Sequence, residues 1–117
     1  MQNAEMSSNP EVVGRLIAIL ETNSFKEYPL EVKCAAVQSL AASGNVQALT
    51  GFIRILRSTS LFHLVKLNQL KIEIIRVLPL FPADKVCPVL QELAATGGKT
   101  IAPVAAKVLK GFKEYTP

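Results

Sequence analysis

The chain has few of the residues from which catalytic and metal sites are built. Its 117 residues include no tryptophan, one histidine, His63, and two cysteines, Cys34 and Cys87. A single histidine with no acidic residue to orient it forms no catalytic triad, and the cysteines form no cluster with metal-ligand spacing. We interpret both cysteines as reduced thiols, buried as small apolar side chains in a cytoplasmic protein. The sequence therefore predicts a protein that is not an enzyme and that binds no metal and no cofactor.

The chain also lacks the patterns of a membrane span, a secretion signal and a nucleotide-binding loop. Residues 34–53 carry no charge and are long enough for a span, but polar and turn residues interrupt them. The N-terminal MQNAEMSSNP has neither the basic nor the apolar part of a secretion signal. TGGK, residues 96–99, lacks the first glycine of a P-loop and a preceding strand, so it predicts a helix break. We expect no membrane association, a disordered segment over residues 1–9 and a single domain over residues 10–114.

Charged residues are scarce as well. They make up 19% of the chain, whereas half of the residues are apolar, and the net charge is +4. The mean hydropathy of +0.31 is high for a small soluble domain. This balance leaves apolar surface for a neighbouring molecule. The mildly basic charge permits an acidic protein partner or nucleic acid and demands neither.

The segment LAASGNVQAL, residues 40–49, places a turn between two helical patterns. Gly44 is suited to the left-handed backbone that ends a helix, and Asn45 can cap the next helix through its side-chain oxygen. Two helices joined by so short a turn fold back on each other as an antiparallel hairpin. The apolar positions that define the two helices are Val32, Ala36, Val37 and Leu40 before the turn, and Leu49, Phe52, Ile53 and Leu56 after it.

This hairpin pattern recurs along the chain. The first-helix pattern returns about 38 residues later at Leu70, and the second-helix pattern returns about 37 residues later at Val86. A helical hairpin repeated with a period of 31 to 38 residues predicts a solenoid. We predict six helices, namely residues 10–22, 30–42, 45–58, 66–80, 83–96 and 100–113.

Residues 31–56, EVKCAAVQSLAASGNVQALTGFIRIL, resemble the HEAT-like (armadillo-type) helical repeats, in particular the short bacterial HEAT repeats. Ala36, Leu40, Gly44, Ala48 and Phe52 fall near the key positions of that family. The following repeat departs from the pattern, most clearly by the prolines around its turn. The resemblance implies an all-α, right-handed α-α superhelix. It also implies a platform that binds proteins and has no catalytic residues.

Two regions supply candidate binding residues. In HEAT-like solenoids the second helix of each repeat lines the concave face. In this chain, acidic residues interrupt any continuous basic stripe on those helices. The irregular linker at residues 57–69 has two interpretations: it tucks a helical turn into the core, or it forms a binding lip. The candidate partner-binding residues from these two regions are Arg15, Arg54, Arg57, Lys85, Phe62 and His63.

The leading functional hypothesis is a non-catalytic protein–protein interaction scaffold, or a module of a larger repeat or signalling protein, whose partner is a protein and can be an acidic one. A nucleic-acid-binding module that uses a basic face is the alternative. A relative of the bilin lyases, which also carry HEAT-like repeats, is a further alternative. The helix at residues 10–22 has more apolar residues than one neighbour can cover. It therefore predicts self-association, or that the chain is part of a longer repeat array.

Overall fold

The computed structural model describes residues 10–22, 25, 27–59 and 63–115, with side chains up to residue 112. The described residues are 86% helical and contain no strand, which confirms the all-α class. They form six α-helices, as the sequence predicts, and a short 3-10 helix, Leu78–Leu80, continues the fourth. The helices are α1 (Pro10–Glu21), α2 (Leu30–Ser43), α3 (Val46–Leu56), α4 (Leu64–Val77), α5 (Ala83–Thr96) and α6 (Gly98–Tyr115).

The turn between α2 and α3 forms as its residues predict. Gly44 adopts the left-handed conformation, with φ of 64°, and its N–H donates to the carbonyl of Ala41. The side-chain oxygen of Asn45 accepts a hydrogen bond from the N–H of Gln47 at 2.8 Å. Both helix ends therefore find hydrogen-bond partners within the turn. The two helices do not pack along each other as the predicted antiparallel hairpin, because α3 packs on α1 and α4 instead.

Three of the helices form a row of neighbours. Helix α2 contacts both α1 and α4, and α4 in turn contacts α6, so α2, α4 and α6 lie side by side. Helix α3 contacts α1 and α4, and α5 contacts α6. The molecule measures 37 × 37 × 17 Å, and its smallest dimension corresponds to about two helices, since packed helices lie about 8–10 Å apart.

All six helices contribute buried residues to one core. At its centre, Phe52 of α3 is fully buried and meets the ring of Phe81 edge-on, with ring centroids 5.9 Å apart. Small buried residues, Ala36 in α2 and Ala48 in α3, let helices approach closely. The large side chains that are essentially excluded from solvent around this point are Leu40, Leu70, Ile74, Ile75, Leu78 and Leu90.

Helix α1 is covered better than its composition predicts. Val13 and Leu20 are buried, while Leu16 and Ile17 are half-buried against the core. The cause is that α1 packs on both α2 and α3. Self-association through this helix stays a prediction.

One sequence-based expectation needs correction. Cys34 and Cys87 are half-buried free thiols rather than buried residues. Burial, with a smaller contribution from the Glu73 carboxylate, raises the pKa of the Cys34 thiol.

The linker at residues 57–69 divides between the two interpretations. Its last residues belong to α4, which begins at Leu64, and Leu67 is buried in the core. Leu64 and Val65, in the first turn of α4, are 55% and 72% exposed, and a binding lip there stays a prediction.

No described helix is long and apolar enough to cross a membrane. The expected disordered segment, residues 1–9, lies outside the described residues.

Candidate functional site

Arg54 and Arg57 are exposed, and each forms an ion pair with a glutamate of a neighbouring helix. Arg54 Nη1 lies 3.0 Å from Glu21 Oε1 of α1, and Arg57 Nε lies 3.2 Å from Glu92 Oε2 of α5. The arginine side chains are 66% and 59% exposed. Ion pairs this exposed contribute only about 0–1 kcal/mol to stability. The arginines can therefore exchange these partners for an incoming carboxylate at little cost.

The other candidate residues are not gathered around the two arginines. Arg15 is exposed on α1, and Lys85 is exposed in the first turn of α5. Neither lines the two cavities described next. His63 is exposed directly before α4, with its ring centroid 5.5 Å from that of Phe25. Phe62 lies outside the described residues.

Arg54 and Arg57 line two different cavities at equivalent places in the fold. The first cavity, of about 230 Å³, lies where α1 and α3 end and includes Lys33 and Arg54. The second cavity, of about 540 Å³, lies where α3 and α5 end and α4 and α6 begin, and it includes Lys71 and Arg57. The two arginines therefore act at separate positions along one edge, although they lie three residues apart.

A lysine is anchored in the same way beside each cavity. Lys33 of α2 is 1% exposed and donates from Nζ to the carbonyl oxygen of Thr22, just beyond α1. Lys71 of α4 donates from Nζ to the carbonyl oxygen of Ser58, just beyond α3, at 2.6 Å. Each lysine ammonium group therefore lies at the C-terminal end of the preceding helix, where it complements the partial negative charge of the helix dipole. The sequence analysis missed both lysines, although their separation of 38 residues matches the period of the first-helix pattern.

Lys33 has a second partner in Phe25. Its Nζ lies 4.2 Å from the centroid of the Phe25 ring, within the range of a cation–π interaction. Burial lowers the pKa of Lys33, and burial likewise lowers the pKa of Lys71. The folded chain therefore holds two cations at a cost in desolvation, offset by their hydrogen bonds.

The burial of Lys33 predicts a pH-dependent stability. In the unfolded chain its pKa is the ordinary 10.5, whereas in the folded chain burial lowers it. Between the two values the unfolded chain binds more protons, so stability rises with pH across that window and levels off above 10.5. Lys33→Met lacks this dependence. We expect wild type to gain stability relative to Lys33→Met as the pH is raised from neutral towards 10.5.

Urea unfolding of both proteins at several pH values measures this difference. Lys71 is present in both chains, so its similar titration cancels. If the difference in free energy of unfolding between wild type and Lys33→Met stayed constant with pH, or if wild type lost stability relative to the variant at high pH, Lys33 would carry no desolvation cost in the folded chain.

The edge formed by the two cavities combines exposed cations with recessed apolar surface. Arginine recognises carboxylates through its planar set of N–H donors. Such a surface can bind and orient an acidic group. Among the described residues, no three His, Cys, Asp or Glu side chains come together as ligands for a metal ion.

Comparison of the chain with protein-family models, with curated proteins and with solved structures finds no match.

Proposed function

We propose that the chain is a non-catalytic, HEAT-like repeat module, a right-handed α-α superhelix, that binds an acidic segment of a protein partner along the edge formed by the two cavities. The observation that carries the proposal is the placement of Arg54 and Arg57. Both are exposed, and each lies at the mouth of a cavity that also has apolar walls.

Side-chain contacts between successive repeats support the HEAT-like architecture. Arg54 contacts Glu21 across 33 residues, and Arg57 contacts Glu92 across 35 residues. Gln38 of α2 donates to Glu73 of α4, again across 35 residues. A separation near one repeat length is what a solenoid requires, because each repeat contacts its neighbours along the stack.

The mixture of charges favours a protein partner. Binding to nucleic acid uses several cations that reach successive phosphates along one face. Here Glu21 and Glu92 lie within hydrogen-bond distance of the two arginines, and such carboxylates repel a phosphate backbone. An acidic protein segment presents separated carboxylates and apolar side chains, and so suits this surface better.

Reversing both arginines tests the proposal. We expect Arg54→Glu with Arg57→Glu to abolish capture of the partner in a pull-down from the source cell. The substitutions place like charges beside Glu21 and Glu92, so a stability loss of about 1 kcal/mol per pair is the upper expectation for these exposed positions. Circular dichroism establishes that the helices remain.

A charge-swapped protein is the matched control. It combines the two arginine reversals with Glu21→Arg and Glu92→Arg, which restores both ion pairs and the wild-type net charge while moving the cations onto α1 and α5. Loss of capture in the swapped protein would show that the positions of the cations matter. If the folded double reversal still retrieved the same partner at the same salt concentration, the proposed surface would be wrong. Salt-dependent binding to random duplex DNA would favour nucleic acid instead.

A further inference from the structure

We infer that the second cavity is the docking site for the acidic segment, and that it takes an apolar side chain flanked by carboxylates. This inference rests on the proposed function and specifies which part of the edge the partner occupies. It also brings in Lys99, which the sequence did not indicate as a binding residue, together with Leu64 from the linker at residues 57–69.

The shape of the second cavity suits a side chain of a partner. Its volume of about 540 Å³ is more than twice the 230 Å³ of the first cavity and lies within the range of about 300–1,000 Å³ usual for ligand pockets. The side chains of Leu56, Leu93 and Ile101 contribute its apolar wall and are themselves almost fully buried. Leu64, at the start of α4, also lines the cavity and is 55% exposed.

The charges around the cavity favour carboxylates. Its described lining contains three cations, Arg57, Lys71 and Lys99, and one carboxylate, Glu92. The ion pair with Glu92 uses Nε of Arg57, and the arginine side chain is 59% exposed, so a second carboxylate can reach the guanidinium. Lys99 is exposed in the first turn of α6. These cations lie on three different elements, so a bound segment meets positive charge from several sides.

The connection between α5 and α6 contributes exposed backbone to the cavity. Gly98 lines the cavity and is exposed, with φ of 80°, a conformation suited to glycine. Among the described residues, a Cβ atom built there would meet no atom within 4 Å. The first turn of α6 adds backbone N–H groups that reinforce the preference for negative charge set by the side chains.

The first cavity is less suited to the same segment. It is smaller, and its described lining contains two basic side chains, Lys33 and Arg54, with no counterpart of Lys99. Lys33 and Lys71 both donate to a backbone carbonyl, but Lys33 is 1% exposed and lies against the Phe25 ring, whereas Lys71 is half-buried. Nucleic acid would use the cations of the second cavity but would leave its apolar wall and Leu64 without a partner.

A random peptide library displayed on phage provides the probe. Selection on the immobilised wild-type chain is expected to enrich short peptides in which Asp or Glu flanks Leu, Ile, Val or Phe. One enriched peptide is then synthesised with a fluorescent label, and its affinity for each variant is measured by anisotropy.

Each test variant has a matched control. Lys99→Glu is expected to weaken binding of the peptide by about tenfold or more. Its control is Lys107→Glu, which makes the same charge change at an exposed site of the same helix, outside the cavity lining. The control should leave the affinity within about twofold of wild type. Leu64→Ser is expected to weaken binding severalfold. Val46→Ser, at the equally exposed first residue of α3, is expected to leave it unchanged. All four positions are exposed, so each protein should fold.

The outcomes separate this inference from the proposed function. Enrichment of neutral or basic peptides, or equal affinity for Lys99→Glu and Lys107→Glu, overturns the second cavity as the docking site. If binding is lost in Arg54→Glu but not in Lys99→Glu, the segment occupies the first cavity. The inference then fails while the proposed function stands. If a partner captured from the cell is insensitive to reversal of both arginines, the proposed function itself fails, whatever the peptides show.

Discussion

Phe52→Ala is expected to lower the free energy of unfolding by about 3–5 kcal/mol, as is usual for the truncation of a fully buried phenylalanine. Phe52 lies in the middle of α3 and has no exposed surface. Its ring meets Phe81 edge-on, at an interplanar angle of 88°, and such aromatic pairs add about 0.5–1.5 kcal/mol beyond the burial of area. Removing the ring leaves a cavity between helices that the surrounding side chains can fill only in part.

Urea unfolding followed by far-UV circular dichroism measures this loss. Phe52→Leu keeps an apolar side chain in place and should cost clearly less than Phe52→Ala. Val46→Ala truncates an apolar residue of the same helix at a site that is 58% exposed, and should stay within about 0.5 kcal/mol of wild type. Equal losses for Phe52→Ala and Val46→Ala would mean that α3 does not turn its Phe52 face towards the core.

Glycine-to-alanine substitutions at two positions are expected to change stability in opposite directions. A Cβ atom on Gly97 would lie 2.5 Å from the carbonyl oxygen of Leu93 and 3.0 Å from Cγ2 of Ile101. Since a backbone oxygen cannot move aside without distorting the end of α5, Gly97→Ala should destabilise the protein by more than about 1 kcal/mol. Gly14 lies within α1, and a Cβ atom there would meet nothing within 4 Å. Gly14→Ala should therefore stabilise by about 0.5–1 kcal/mol.

The same denaturation experiment compares the two variants with wild type. The chemical change is identical at both sites, so the difference in sign isolates the effect of the local surroundings. If Gly97→Ala were as stable as wild type, the close approach between α5 and α6 at their junction would not be present in solution.

Much of the local structure could be predicted from the sequence. The turn at Gly44 and Asn45 and the helix break at residues 96–99 follow from capping preferences and from the special conformations of glycine. The all-α class follows from apolar residues at helical spacing. In each case the residues that decide the structure lie within a few positions of one another, so the interactions can be inferred without knowing the rest of the fold.

The candidate site was predicted less completely. The sequence indicates Arg54 and Arg57, but their shared helix suggests one common surface, whereas the structure pairs them with different helices and places them at different cavities. Lys33 and Lys71 were missed because lysine is usually exposed, and their carbonyl partners are defined only once the preceding helix has ended. The period of 38 residues that relates the two lysines was the signal that could have found them.

The sequence by itself determined the six helices, their order and the turn at Gly44 and Asn45, because these depend on neighbouring residues and on the 3.6-residue period. Only the tertiary structure decided which cations share a cavity, why Leu64 is exposed while Cys34 is half-buried, and where Gly97 meets Leu93. Those features depend on residues from different helices that come together through packing. The apolar pattern of a helix specifies the face that turns inward, but the neighbour that covers this face is chosen by the fit of side chains across the interface.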